Sequence, residues 1–541
     1  MNKKQNDKKD KTYQKPILFF EDCGAVDPKM SYYVPLDNVV NSDNQDIKTM
    51  VDRSRYFSIF APRQSGKTTF FKRMCDQLHK DRTYIGIVLN FQQYEGADKN
   101  LFYSKIGNEL CEQLLDRLKE VECDKYDTVT QFLENNHISD YFSFGDFFEE
   151  LNRIIQTKKI VIFIDEFDGI PLSELGNFLA TLRDLYQKYK EVNRKALYSI
   201  ALVGIRNITK LVVGGVSPFN IADQVELPSF SLNNVCNLYN QYTSETNQPF
   251  TEEAVKRIHA ETGGQTWLVN RLATILTVNI KPATVEPINE EDVEKAIQIL
   301  IKERNSHFDN LDEKAKQYKE AFIDIVFDGV EYNPGKEDQT WLEQFGLVKN
   351  IDGKAVVAND IYKKRYIKMF FDEVTENAFM SPQFYALPDG RLDMENILLD
   401  FDRYIAQIGV RAFYQGKKPH EKTGQFLLTA WLYQFVKGGE SDLRYESITG
   451  LGRMDIILHV KGRKYIIETK VNYFGDMERL IQQGVTQVTQ KYLLTESVNE
   501  GFLVVFDTAT LVGTLTKPQV HLKDERKVTC FIIGIGYPEK D

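Results

Sequence analysis

Near the start of this 541-residue chain an apolar strand runs into a tight loop: Tyr56-Phe57-Ser58-Ile59-Phe60, then Ala61-Pro62-Arg63-Gln64-Ser65-Gly66-Lys67-Thr68-Thr69. A polyphosphate needs several backbone N–H groups pointing inward, a helix N-terminus behind them and one mobile cation. A buried strand, a tight turn and a helix start in succession supply all three, and GxxxxGK[ST] is the spacing that does so. Gly66, Lys67 and Thr68 stand at the required places. Lys67 is expected to reach the β and γ phosphates of ATP, and Thr68 to ligate Mg²⁺. Ala61 takes the place of the first glycine, a position that asks for a small residue more than for a positive φ. The bland alternative is a chance GKT at a turn, against which the preceding strand argues.

Such a site also needs an acidic residue at the end of a buried strand to hold the magnesium water shell. Lys159-Ile160-Val161-Ile162-Phe163-Ile164-Asp165-Glu166 has that form, and its β-branched apolar run reads as a central parallel strand. Asp165 is the expected magnesium partner, and Glu166 the residue that polarises the attacking water. Tyr84–Asn90 and Leu197–Gly204 read as two further strands. With helical stretches between them, the pattern is α/β with a parallel sheet. Arg206 follows the last strand and would face the γ-phosphate if that strand neighbours the loop strand; an exposed surface arginine is an equal reading. Arg183 is a weaker candidate, for an arginine finger across the interface of a homo-oligomer.

The length suggests roughly three to four domains. Apolar residues make up 42 % and charged residues 27 %, an ordinary globular balance. The apolar runs are far too short to span a bilayer, so no membrane partner is expected. The net charge of −10 argues against a protein that coats nucleic acid non-specifically, though not against a local basic groove. Six cysteines without CxxC spacing read as reduced thiols of a cytoplasmic protein with no zinc site. Residues 1–16 read as a solvated basic tail.

The stretches APRQSGKTT, IVIFIDEFD, LVGIRN, SPFNIADQVELPSF and GQTWLVNRLA resemble the AAA-like ATPases of bacteria and archaea. The resemblance implies a P-loop core over 17–230, a helical lid over 231–300 and a winged-helix-like module over 301–375. In relatives the segment matching Gly263-Gly264-Gln265-Thr266-Trp267 lies in the lid; an ordinary glycine C-cap between packed helices is the plain reading. Asp352-Gly353 between β-rich runs signals the hairpin of a wing. The wing carries few positive charges, which favours an intramolecular regulatory module slightly over duplex binding. SPQFYALPDG, from about 381, reads as a linker.

Past that linker, GRMDIILHVKGRKYIIETK combines two carboxylates that suit a divalent ion with a lysine that suits the attacking water. Taking Lys461 to Lys464 as the turn pairs Val460 with Tyr465 and sets Asp455 opposite Lys470. Glu468 is two residues before Lys470 and shares its face. Asp455, Glu468 and Lys470 then converge, with Ile456, Leu458, Ile467 and Thr469 on the other face. A surface hairpin with a charged face is the alternative. The arrangement resembles the PD-(D/E)XK nucleases, with Met454 where the family has its proline. The resemblance covers 376–541 and implies an α/β restriction-endonuclease-like domain with Asp455 and Glu468 on Mg²⁺ or Mn²⁺. Glu421, which opens a helix, Glu446 on the preceding strand, and Gln487 are accessory candidates. Family helices read QxxxY, whereas Tyr492 is five residues after Gln487.

The whole reads as a multidomain α/β chain in which ATP gates or drives Mg²⁺-dependent cleavage of nucleic acid, DNA first. The pairing of such domains implies mobile-element or phage-defence biology. The alternative is a nucleotide-switched sensor or regulator whose C-terminal module binds nucleic acid or a partner without cutting.

Overall fold

The computed structural model describes residues 12–192, 197–205, 221–375, 382–408, 414–415, 418–419, 421–436, 442–449, 452–473, 475–514, 516–523 and 525–536. Two compact units divide them. The first holds residues up to Phe322 together with Glu331–Lys363, and the second holds Ile323–Val330 and everything from Lys364 on.

In the first unit, α1 (Ile47–Asp52), β1 (Phe57–Phe60), α2 (Lys67–Leu78) and β2 (Tyr84–Asn90) come first. Then follow α3 (Lys99–Glu120), α4 (Tyr126–Asn135), α5 (Tyr141–Ile154), β3 (Lys159–Asp165), α6 (Leu172–Val192), β4 (Ser199–Gly204) and β5 (Asp223–Val225). The five strands form a wholly parallel sheet in the order β2-β3-β4-β1-β5. β3 is buried from Ile160 to Asp165, as a strand covered on both faces must be. On one face Ile85, Ile162 and Leu202 pack with Phe102, Phe144 and Phe178 of α3, α5 and α6. On the other Ile59, Phe163 and Val203 pack with Phe71 of α2 and Met50 of α1. With β4 hydrogen-bonded to β1, the end of β4 borders the phosphate loop, as the reading of Arg206 required; Arg206 itself lies outside the described residues.

Next come α7 (Leu232–Thr246), α8 (Glu252–Thr262), α9 (Thr266–Thr274), a π turn (Ile275–Ile280) and α10 (Glu290–Leu300). Ser231, Thr251, Gln265 and Asn289 cap the four helices with side-chain acceptors. α11 (Ser306–Gln317), α12 (Lys319–Asp328), β6 (Val330–Glu331), α13 (Glu337–Gln344), β7 (Val348–Ile351), β8 (Lys354–Val357) and α14 (Asp360–Thr375) complete this stretch. β7 and β8 are joined by Asp352 (φ 49°) and Gly353 (φ 81°), so the hairpin lies where the Asp-Gly pair signals it. The boundary between the units passes through α12 and again through α14. Residues 12–16, part of the expected free tail, are held: Gln14 N–H donates to Thr246 O at 2.9 Å and Asn247 Nδ2 to Thr12 O at 3.0 Å.

The second unit contains α15 (Met394–Ile408), β9 (Tyr414–Gln415), β10 (Lys418–Pro419), α16 (Glu421–Tyr433), β11 (Asp442–Thr449), β12 (Gly452–Val460) and β13 (Arg463–Asn472). α17 (Met477–Gln487), a π turn (Val488–Tyr492), α18 (Leu493–Glu496), β14 (Glu500–Leu511), β15 (Gln519–Lys523) and β16 (Arg526–Gly536) follow. The sheet runs β11-β12-β13-β14-β16-β15 and is mixed: β13, β14 and β16 are parallel, with antiparallel pairs outside them. Ile466, Leu503, Val505 and Cys530 pack under Ile481, Val485 and Tyr492 of α17 and its π turn. The supposed linker is packed at Tyr385. Tyr385 is buried and donates to Asp400 at 2.7 Å, and Leu392 N–H donates to the Tyr465 hydroxyl at 2.7 Å. Its turn residues serve a tight bridge, Ala386 to Leu392, rather than a free spacer.

Candidate functional site

The loop after β1 closes on itself. Gln64 (φ 58°) and Gly66 (φ 87°) take left-handed backbone conformations, and Ala61 is not among the positive-φ residues, as its substitution for glycine requires. Lys67 opens α2 and is 5 % exposed; its Nζ donates to Ala61 O at 2.7 Å and Pro62 O at 2.8 Å. Burial pulls the Lys67 ammonium below the ordinary lysine range, while Glu166, Asp165 and Asp168 oppose that shift. Ser65 Oγ is buried in the loop without a hydrogen-bond partner among the described residues.

Thr68 Oγ1 donates to Asp165 Oδ2 at 2.7 Å, so the end of β3 and the start of α2 present adjacent oxygens. Glu166 follows in a left-handed conformation (φ 48°, ψ 47°), and its N–H donates to Asp165 Oδ1 at 3.0 Å. Burial raises the Glu166 carboxyl above its ordinary range, partly countered by Lys67. Thr68, Asp165, Glu166 and Lys67 thus stand together as the spacing predicts. The oxygens of Thr68 and Asp165 are hard donors of the kind Mg²⁺ takes.

Several contributors were invisible to motif reading. Asp168 Oδ2 accepts from Ile205 N–H at 2.5 Å and fills the space beside Gly204, where a Cβ would meet that oxygen at 2.4 Å. It ties the acidic strand end to the end of β4. Thr69 Oγ1 accepts from Val26 N–H at 2.9 Å, which brings the segment Glu21–Val26 across the site. That segment is held in turn by α9: Trp267 Nε1 donates to Asp22 O at 2.8 Å and Arg271 to Asp22 Oδ2 at 2.9 Å. Gly263 caps α8 in a left-handed conformation, the plain role foreseen for it. The residues after it grip the phosphate loop, Thr266 Oγ1 donating to Gln64 O at 2.9 Å. Gly264 (φ 73°) lies so close to Phe230 that a Cβ would meet its carbonyl oxygen at 2.0 Å. Between these parts lies a cavity of about 510 Å³ reaching from Lys67 and Asp165 to Tyr33, Phe230 and Asn270. Arg183 lies half-buried on α6 and takes no part in that lining.

In the second unit the hairpin differs from expectation in register. Its turn is two residues, Lys461 (φ 48°) and Gly462 (φ 75°), and Val460 pairs with Arg463, not Tyr465. Ile456 therefore faces Ile467, and Asp455 stands at the level of Glu468 rather than Lys470. A slip of two keeps every residue on its expected face. Among the described pairs, those of β12 with β13 run from Ile456 to Val460. On the other side, Tyr445 pairs with Ile456 and Ser447 with Met454, so Glu446 stands level with Asp455. Glu468 is 1 % exposed and accepts from Lys470 Nζ at 2.5 Å. The side chains of Glu421, Glu446 and Asp455 lie outside the described ones, and among the described residues no three acidic, His or Cys groups could hold a metal. The Gln487 amide donates to the Tyr492 hydroxyl: the π turn brings residues five apart face to face, which an α-helical count misses.

An AAA-like domain model matches residues 22–369, well over half of the sequence. The chain belongs to the AAA-like domain family. The AAA-like domain carries a P-loop ATPase fold, which implies a nucleotide and Mg²⁺. A second match, over residues 393–510, is to a domain of unknown function. No curated protein matches the chain. Among solved structures, a Walker-type ATPase of Pyrococcus abyssi is similar at 11 % identity and a TM-score of 0.39, over 61 % of this chain and 98 % of that one. The RuvB Holliday junction branch migration motor of Thermotoga maritima is similar at 13 % identity and TM-score 0.30, over 59 % and 90 %. The Orc1 protein of Aeropyrum pernix in complex with DNA is similar at 12 % identity and TM-score 0.29, over 61 % and 92 %. Among the described residues no helix is long and apolar enough to cross a membrane.

Proposed function

We propose that the AAA-like domain binds and hydrolyses ATP, and that its nucleotide state governs metal-dependent cleavage of nucleic acid, DNA in the first instance, by the second unit. For the first half, Thr68 and Asp165 would hold Mg²⁺, which supplies charge neutralisation on the β and γ phosphates. Lys67, two of whose donors hold the loop carbonyls, would offer the third to phosphate oxygens. Glu166 orients water and accepts its proton, a task that its raised pKa suits. Residues 231–300 serve as the helical lid and 301–375 as a winged-helix-like module that changes position with nucleotide state.

Register supports the second half: Tyr445, Ile456 and Ile467 pair across three neighbouring strands, and Glu446, Asp455 and Glu468 are the next residue along on each, with Lys470 two residues beyond Glu468. Directly opposed residues of antiparallel strands lie about 5 Å apart on one face. That all-oxygen set suits Mg²⁺ or Mn²⁺, whose contribution when bound would be to polarise a phosphodiester. Lys470 would orient the attacking water.

A second reading has its own observation. Glu468 is almost wholly buried and bonded to Lys470, which also suits a structural ion pair in a module that binds without cutting. One assay separates the two: cleavage of supercoiled, linear and single-stranded DNA with Mg²⁺ or Mn²⁺, under ATP, ADP, a non-hydrolysable analogue or no nucleotide. Cleavage that varies with nucleotide supports gating, since a ligand shifts only what it binds differentially. Cleavage identical in all four states means mere tethering, and no cleavage of any substrate favours the binding module.

A further inference from the structure

A second cavity, of about 310 Å³, opens between α3 and the chain that joins α4 to α5, and it shares no lining residue with the nucleotide cavity. From α3 come Asn100, Ser104, Asn108 and Cys111, and from the joining chain His137 and Ser139. The walls are held in place. Gly107 lets them approach, since a Cβ there would stand 3.2 Å from that of buried Ile138. Ser139 N–H donates to Ser143 Oγ at 2.9 Å, and Asn136 Nδ2 to Phe132 O at 2.8 Å. Ligand sites are usually preformed in this way.

Charge narrows what the cavity takes. Charged residues make up 27 % of the chain, yet among the described residues no Asp, Glu, Lys or Arg lines it. α3 carries Lys105, Glu109, Glu112, Asp116 and Lys119, all at positions outside the lining. Lys99 and Asp140, which flank the lining in sequence, face each other at 3.9 Å. Burial pushes the Cys111 thiol up to about 11, so it adds no charge at neutral pH. An anion finds no Lys or Arg here, and a cation no carboxylate.

Hydrogen-bonding capacity narrows it further. The side chains of Asn100, Ser104 and Asn108 have no partner among the described residues. Their four-residue spacing sets them on one helix face, in a row about 12 Å long. Amides and hydroxyls both donate and accept. A hydroxyl returns both roles from a single atom, so a small molecule dense in hydroxyls can serve the whole row.

We propose that this cavity binds a neutral, hydroxyl-rich small molecule, a sugar or an open-chain polyol, through Asn100, Ser104 and Asn108 on one wall and His137 on the other.

The test is saturation-transfer NMR titration of the full chain with glucose, maltose and sorbitol, and with glucose 6-phosphate and sorbitol 6-phosphate as charged counterparts. It is run on wild type, on Ser104→Asp and on the double variant Asn100→Ala/Asn108→Ala, with thermal unfolding as the control for folding. Wild type is expected to bind at least one neutral probe, and to bind the phosphorylated forms on the order of tenfold more weakly or less. The double variant should lose on the order of tenfold in affinity for that probe, about the worth of one hydrogen bond or more, and Ser104→Asp should lose as much. Maltose or glucose binding alone assigns a ring sugar, and sorbitol binding alone an open-chain polyol. No transfer to any of the three neutral probes overturns the proposal. So does a phosphorylated form that binds as well as its neutral parent, or unchanged affinity in either folded variant. All three substituted positions are exposed, and the comparison of neutral with charged probes needs wild type only.

Discussion

Replacing Lys67 by alanine tests the phosphate site most directly, and its cost can be worked from the contacts. An ammonium has three donors. Two are already engaged by the carbonyls of Ala61 and Pro62 at 2.7 and 2.8 Å. Nucleotide binding therefore adds at least one new charge-assisted bond, worth about 1.5–3 kcal/mol. The lower bound on the loss is then about tenfold in Kd, and the upper figure on the order of 150-fold. A second effect acts in the same direction. Asp165, Glu166 and Asp168 all lie close enough to shift Lys67, so its removal leaves their negative charge less compensated near an incoming polyphosphate. We expect Lys67→Ala to weaken ATP by about a hundredfold. Calorimetry with the full chain and Mg²⁺ at pH 7.5 reads this, with thermal unfolding as the control that the loop still folds. A Kd within threefold of wild type in a folded variant would refute the assignment, since among the described residues no other buried cation lines this cavity.

Glu166→Gln should leave the ATP Kd nearly unchanged and lower the hydrolysis rate at least a hundredfold, because the carboxylate acts on water and not on the ground-state phosphates; steady-state phosphate release decides it, and unchanged turnover removes Glu166 from the chemistry. Asp455→Ala and Glu468→Ala should each abolish metal-dependent cleavage while ATP turnover stays within about twofold, the two sites sharing no residue; cleavage at the wild-type rate would make the hairpin structural. Asp402 offers a pH signature. Burial pushes its carboxyl from the usual 3.8 up to about 6. The folded state holds that proton more tightly than the unfolded chain, so the stability this contributes is present in acid and lost as pH rises through about 6. Asp402→Asn should therefore stabilise the protein by up to about 3 kcal/mol at pH 8 and about half of that at pH 5. Thermal melts at both pH values check the sign, and an equal shift at the two would falsify it.

The phosphate loop and the acidic strand end were legible because each is local: a strand, a turn and a helix start leave a contiguous trace. The strands β2, β3 and β4 were legible as β-branched apolar runs. What escaped was brought together from afar. The bond between Thr69 and Val26 spans 43 residues, and that between Trp267 and Asp22 spans 245; no periodicity announces either. Asp168 escaped for another reason. An aspartate three residues past Asp165 looks like a solvated turn until Gly204 is seen to leave room for it. The hairpin register was missed by two because Lys461 adopts a positive φ, a conformation more usual for Asn or Gly. The Gln487–Tyr492 contact depends on a π turn, which changes the count per turn without a compositional mark.

The passage of the unit boundary through α12 and α14 has a consequence for anyone who would exchange the second unit. The chain leaves the first unit after Phe322, returns at Glu331 and leaves again after Lys363. Three junctions, not one, separate the halves. A truncation near residue 376 would keep Ile323–Val330 and Lys364–Thr375 while deleting the rest of the unit to which they belong. Buried Ile325, Val326 and Tyr366 sit in those stretches. Grafting another module onto the AAA-like domain would require both stretches to be redesigned, since 323–330 belongs to the unit that follows.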